Sequence, residues 1–479
     1  MSLKKNLVSN LILTASTIIF PLITLPYITR TLSASNIGKV FFVDSFTQYF
    51  ILFSAIGIPF YGVREIAKIK GNREKVSSLV VDLVITQISL AFLSCIILYI
   101  MYLFFPKLNS ESGLITIACL AIISNSFLIE WFYQGIENFT YITKRSLVIK
   151  TISVILILIL IKQNTDYQIY YLILTLTVLA NAILNFVNFF RKSYTPYVFH
   201  RGIFKHLKPL WVLFSINIAI SLYTIMDTII LGSLTSPQDV SFYNIPLKIV
   251  KIFWTIMAGI GVVLIPRMSS FFANNEVDRI QELMKKSISI VVMLGLPFLF
   301  LALIFPTEIL LAVSGNQYLK AKMALQVLGV VPFIIGICNV FGTQYLLAIG
   351  QERKILYGTI LGFAVSLGLN FLLIPKIGFL GASISCVMAE LSVCVTVYYF
   401  ARKTIKIIID YQLIMLVILS LCITILFWLG IQHLISSFYL LGSCIVTYAI
   451  TFLILNYFFF RNSLVASILN FFSNKKITI

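Results

Sequence analysis

Two lysines three residues apart, Lys248 and Lys251, stand inside an apolar run from about residue 241 to 265. At a helical rise of ~1.5 Å per residue they lie roughly 11 and 15 Å along that run and share one face. Ionised groups cannot face hydrocarbon without cost, so such a pair either holds an anion or neutralises carboxylates. If it holds an anion, Arg30, at the mouth of the first apolar run, would supply a planar two-pronged donor beside it. The competing reading is a structural ion pair with Asp44 or Asp227. Glu130, beside Trp131, has a choice between a cation or proton site and an interfacial anchor. Glu390, in the middle of a late run, has one between proton exchange and a hydrogen bond to a neighbouring helix. Asp82 and Lys150 stand within about a turn of run ends and reach the interface by extending.

These groups need elements to hold them, and the composition says of what kind. Of 479 residues 59% are hydrophobic and only 11% charged, with 40 Phe. That excess of apolar side chains rules out a water-soluble enzyme and makes lipid their solvent. Runs of the ~20 residues that cross a bilayer fall at about 7–29, 38–61, 78–105, 114–134, 146–161, 168–190, 209–231, 241–265, 287–305, 323–349, 355–374, 382–400, 411–430 and 438–460. The fifth is short and the last two are parted only by a weak break at Gln432 and His433, so twelve to fourteen transmembrane helices are expected. The fold class is an all-α integral membrane protein.

The net charge of +19 would point to nucleic acid in a soluble protein; here its placement matters more. Lys and Arg crowd every second connection, at 64–75, 144–145, 191–208, 267–286, 353–354, 402–406 and 461–476. The alternate side carries Arg30, Lys39, Lys107, Lys162, Lys320, Lys322 and Lys376. That asymmetry predicts cytoplasmic N- and C-termini, and the basic loops fit anionic membrane lipids rather than nucleic acid. The segment 267–286 reads as an interfacial helix joining two lobes.

The connections are too short for a folded domain, and neither a P-loop nor a zincin motif occurs. Cys95, Cys119, Cys338, Cys386, Cys394, Cys422 and Cys444 lie in apolar runs as small hydrophobes, and His200, His206 and His433 sit in or beside loops. No catalytic residue, metal or cofactor is expected. An integral membrane polysaccharide polymerase or acyltransferase would show a large outside loop or a membrane-embedded His. A drug exporter would favour an acidic, aromatic cleft.

Two stretches share an order of features. L-S-A-S-N-I-G at 32–38 and L-T-S-P-Q-D-V-S at 234–241 each lead into a span that ends in Gly and then Arg (Gly57 and Arg64, Gly261 and Arg267). Q-G-I-E at 134–137 and G-Q-E-R at 350–353 follow at matching places. The order predicts a six-helix unit used twice in parallel, with lobes at 1–205 and 206–405 around a central cleft, and two additional helices and a cytoplasmic tail at 406–479.

The segments P-Y-I-T-R-T-L-S (26–33), G-I-P-F-Y-G-V-R-E-I-A (57–67), W-F-Y-Q-G-I-E (131–137), S-F-Y-N-I-P-L-K (241–248) and L-I-P-K-I-G-F-L-G-A (373–382) resemble the polysaccharide exporters of the MOP superfamily, most of all the Wzx-type O-antigen flippases. The likeness runs over roughly residues 1–400. It implies alternating-access, ion-coupled transfer of undecaprenyl-diphosphate-linked oligosaccharide across the bacterial inner membrane, with a polysaccharide polymerase and chain-length machinery as partners. Multidrug exporters and lipid II flippases are relatives of the same superfamily.

Overall fold

The computed structural model describes residues 3–196, 210, 214, 225–431, 437–460, 462 and 465. Every apolar run except the seventh falls on described helix; of the seventh only Leu210, Phe214 and the stretch Ile225–Leu234 are described. Eleven described helical segments are long and apolar enough to cross a membrane. Beside them stand Pro237–Ala273, of 37 residues, and Phe139–Leu160, of 22 residues. The expected lobe boundary at 205/206, the three histidines and most of the tail lie outside the described residues.

Local chemistry sets the helix starts. Ser33 Oγ accepts the Asn36 N–H at 3.3 Å ahead of Ala34–Ala55, and Asn72 Oδ1 accepts the Lys75 N–H at 3.0 Å ahead of Arg73–Phe104. Each satisfies a donor that the first helical turn leaves open. The second run is broken where Ile56 (φ 38°) and Gly57 (φ 79°) adopt left-handed conformations, and Pro59 restarts the chain as Ile58–Ile69.

Asn138 caps the fifth helix, accepting the Tyr141 N–H at 3.4 Å, so this helix begins at Phe139, about two turns earlier than the apolar count placed it. Lys144, Arg145 and Lys150 therefore lie within it. The segment 267–286 is not one interfacial helix: Pro237–Ala273 ends there, Asn275 turns with φ 57°, and Val277–Ile304 begins.

Apolar patterning shows how these helices meet lipid. On Arg73–Phe104, Phe92, Ile96, Tyr99 and Leu103 recur at helical spacing and are exposed, whereas Leu83, Ala91, Ser94 and Leu98 are buried. One stripe packs inward and the other is solvated by acyl chains.

The chain forms two compact units. The first comprises residues 1–244, 313–317 and 366–382, and the second 245–312, 318–365 and 383–479. Ile58, Ile66, Leu83, Phe132, Tyr133 and Phe189 are among the core residues of the first. In the second, Tyr411–Ile431 packs on Val277–Ile304 through a core that includes Ile280, Met284, Val292, Leu416 and Val417.

Four of the segments that carry the family resemblance meet in pairs inside the first unit. A Cβ on Gly62 would lie 2.3 Å from the Trp131 ring and one on Gly135 would lie 2.6 Å from Ile66, so two bare glycines let Ile58–Ile69 and Glu130–Gly135 touch along their length. Lys70 and Glu137 close the end of that contact at 3.2 Å. The rings of Phe242 and Phe379 meet edge to face at 5.6 Å, joining the other pair. These segments are thus packing surfaces first.

Candidate functional site

Among the candidate groups, Arg30, Asp44, Glu130 and Asp227 belong to the first unit and Lys248, Lys251 and Glu390 to the second.

Asp227, 2% exposed, stands on Ile225–Leu234. Its Oδ1 accepts from Ser366 Oγ at 2.7 Å and from Asn370 Nδ2 at 2.6 Å, and its Oδ2 from Tyr243 Oη at 3.0 Å. Three donors from two other helices surround one carboxylate, an arrangement that satisfies its buried oxygens and ties three helices together. Asn370 acts there as an interhelical donor. Asp44 is half-buried: Gln48 Nε2 donates to it at 3.3 Å, and Tyr171 Oη lies 3.4 Å from it while sitting 2.9 Å from Thr47 Oγ1.

Glu130 pairs with Arg145, whose side chain is 3% exposed, and Arg145 also donates to Asn185 Oδ1. Asn185 in turn donates to the Leu128 carbonyl. This network links the helices Glu130–Gly135, Phe139–Leu160 and Tyr167–Lys192. Charge counting assigned Arg145 to a loop, and the signal that would have moved it inward is the Asn138 cap. Lys150, at the middle of the same helix, donates to Ser16 Oγ at 2.9 Å instead of reaching out to the interface, and Asp82 is buried at 5% exposure.

Arg30 is exposed at the end of Leu3–Thr31, with one guanidinium nitrogen 2.9 Å from the Pro26 carbonyl. It borders an open polar pocket of about 390 Å³ shared with Ser33, Asn164, Asn316 and Gln317. Gln317 stitches this end together: its amide donates to the Thr29 carbonyl and, at 2.9 Å, to that of Leu32, while its Oε1 accepts the Ala34 N–H at 3.1 Å. Nearby, Lys107 donates to the Gly232 and Thr235 carbonyls at 2.9 and 2.5 Å, the helix end where a cation is favoured. Burial holds its ammonium below the ordinary lysine range.

In the second unit Lys248 is half-buried and Lys251 exposed, one turn apart on Pro237–Ala273; the Lys251 carbonyl accepts from Thr255 at 2.8 Å. Glu390 is 8% exposed in the middle of Phe379–Arg402. Among the described residues no group of His, Cys, Asp and Glu has the arrangement of a metal site. The set offers cations, buried carboxylates and hydrogen-bonding amides, which suit binding and charge exchange.

Residues 3–272 match the polysaccharide biosynthesis protein family and residues 213–372 the MatE family. The chain is 27% identical over 407 residues to a protein named "Putative O-antigen transporter" in Escherichia coli (strain K12), covering 84% of this chain and 97% of that one. It is 24% identical over 408 residues to a protein of the same name in Shigella dysenteriae, covering 84% and 100%. Among solved structures, a lipid II flippase MurJ in an inward closed conformation aligns over 95% of this chain and 99% of its own, with a TM-score of 0.73 at 14% identity. An inward-facing MATE family multidrug transporter of the MOP superfamily aligns over 80% and 93%, with a TM-score of 0.61 at 14% identity. The length of the first family match, joined to the helical membrane fold of the described residues, decides the matter: the chain belongs to the polysaccharide biosynthesis protein family.

Proposed function

We propose that the chain flips an undecaprenyl-diphosphate-linked oligosaccharide, an O-antigen or similar surface-polysaccharide repeat unit, across the bacterial inner membrane. A bilayer blocks the hydroxyl-rich sugar, so the protein need only offer it a hydrated cationic path while the polyprenyl tail stays in lipid. Lobes at 1–205 and 206–405 alternate access to that path, residues 406–479 add two helices, and both termini are cytoplasmic. The polymerase and chain-length machinery then use the delivered unit.

The observation that carries this reading is the lysine pair: Lys248 and Lys251 stand roughly 17 and 21 Å along Pro237–Ala273, at the ~1.5 Å rise per residue of a helix. Cations at that depth fit a diphosphate, with Arg30 as a third donor. Asp44, Glu130, Asp227 and Glu390 are the groups through which an ion gradient would drive the cycle.

The test is deletion of the gene from its own bacterium, followed by assay of lipid-linked repeat units and surface glycan. Repeat units should accumulate unpolymerised on the cytoplasmic leaflet and surface glycan should fall. Unchanged glycan with no accumulation would refute the proposal, and altered drug efflux with normal glycan would favour the multidrug reading.

A further inference from the structure

The turn between Phe379–Arg402 and Tyr411–Ile431 encloses an open pocket of about 670 Å³, lined by Tyr398, Arg402, Lys403, Thr404, Lys406 and Ile409 among others. Three cations in one cavity repel each other unless something negative lies between them. Among the described residues, Arg402, Lys403 and Lys406 have no carboxylate within 4.0 Å. Asp410, the single acid of the turn, is engaged elsewhere: by Lys285 Nζ at 3.6 Å, Asn462 Nδ2 at 3.1 Å and the Leu413 N–H at 3.2 Å.

The wall is fixed. Ile405 is 6% exposed and anchors the turn, Thr404 Oγ1 lies 3.0 Å from Tyr345 Oη, and the Lys403 ammonium sits 4.3 Å over the Tyr399 ring. Beside the cations, Tyr399, Ile408, Ile409 and Tyr411 are exposed. Cations in a pocket, with aromatic and branched apolar side chains alongside, describe the boundary between head group and acyl chain.

We infer that this pocket seats the phosphate of an anionic phospholipid head group. Arg402 supplies the two-pronged donor to the phosphodiester, Lys403 and Lys406 supply charge, and Ile409 and Tyr411 lie against the first segments of the acyl chains. The site is distinct from the lysine pair at 248 and 251, which lies on Pro237–Ala273. A free phosphate would satisfy the same three cations but would leave the exposed apolar flank without purpose.

The test titrates short-chain phosphatidylglycerol, and separately phosphatidylcholine, against the detergent-solubilised full chain, with bound lipid counted by native mass spectrometry. Phosphatidylglycerol should be retained in preference to phosphatidylcholine. Replacing Arg402, Lys403 and Lys406 together by Gln should weaken its retention by about tenfold or more, three cations being lost from one head-group site. The same charge loss at Lys68, Lys70 and Arg73 should leave retention within about twofold, those residues being outside the pocket. Lys403→Arg with Lys406→Arg keeps the charge and should keep binding, which guards against a triple variant that merely misfolds. No preference for phosphatidylglycerol in the unaltered chain, equal loss in both triple variants, or complete displacement by millimolar inorganic phosphate would each overturn the assignment.

Discussion

Gly38 and Pro237 touch so closely that a Cβ added to the glycine would stand 1.6 Å from the proline carbonyl oxygen and 2.5 Å from its carbon. The two residues lie in the stretches 32–38 and 234–241, and both belong to the first compact unit. The obstacle is backbone, so no rotamer change relieves it.

Gly38→Ala should therefore force Ala34–Ala55 and the start of Pro237–Ala273 apart, at an overpacking cost of about 1–3 kcal/mol. Gly71→Ala is the control, because a Cβ there meets nothing within 4 Å. Thermal unfolding of the purified proteins should show a lowered midpoint for the first and almost none for the second. Equal midpoints would mean that this approach of helices is not part of the stable state.

Gln317 should be hard to replace. It serves two carbonyls and one N–H at the end of Leu3–Thr31 and the start of Ala34–Ala55. Gln317→Ala leaves those groups short of partners, at about 1–3 kcal/mol. Gln317→Glu should be worse, since it sets a carboxylate against carbonyl oxygens. A melting series of the three proteins checks the order, which would be reversed if water replaced the amide without loss.

The ion pair of Glu130 and Arg145 makes a sharper demand. Glu130→Ala strands a guanidinium whose side chain is 3% exposed, a loss of about 3–5 kcal/mol for a broken buried pair. Protein level in the membrane should fall, and adding Arg145→Met should restore it. If Glu130 only holds the helices, the double variant also regains glycan export. If Glu130 exchanges the coupling ion, abundance returns and export does not.

Membrane character and the places of the described apolar helices were legible because hydropathy is a local property summed over ~20 residues. What escaped was long-range. Arg145 read as a loop residue because its charge outweighed the apolar residues after it, whereas a partner 15 positions back makes burial affordable. Gln317 is an ordinary amide in a connecting segment, and its bonds reach residues 285 and 288 positions away. No periodicity records such a contact. Asp227 could be picked out as a buried acid, but its donors Ser366 and Asn370 could not be named without the fold.

Lys251 tests the proposed mechanism most directly. It is exposed on Pro237–Ala273, and its charge serves either a substrate diphosphate or a carboxylate of the protein. If it serves substrate, Lys251→Ala should leave normal amounts of protein in the membrane and abolish surface glycan, because the variant folds but has lost a cation that the diphosphate needs. Lys251→Arg should keep part of the function, since charge persists while the head group changes shape. If it serves a carboxylate, Lys251→Ala should lower abundance first, and removing Asp44 or Asp227 as well should bring it back. Asp227 already has three donors of its own, so rescue through Asp44 would be the more telling of the two. Immunoblotting of membranes beside glycan staining of the same cells separates these cases. Normal abundance together with normal glycan in Lys251→Ala would remove this residue from the transport path and shift the burden of binding the diphosphate to Arg30 and Lys248.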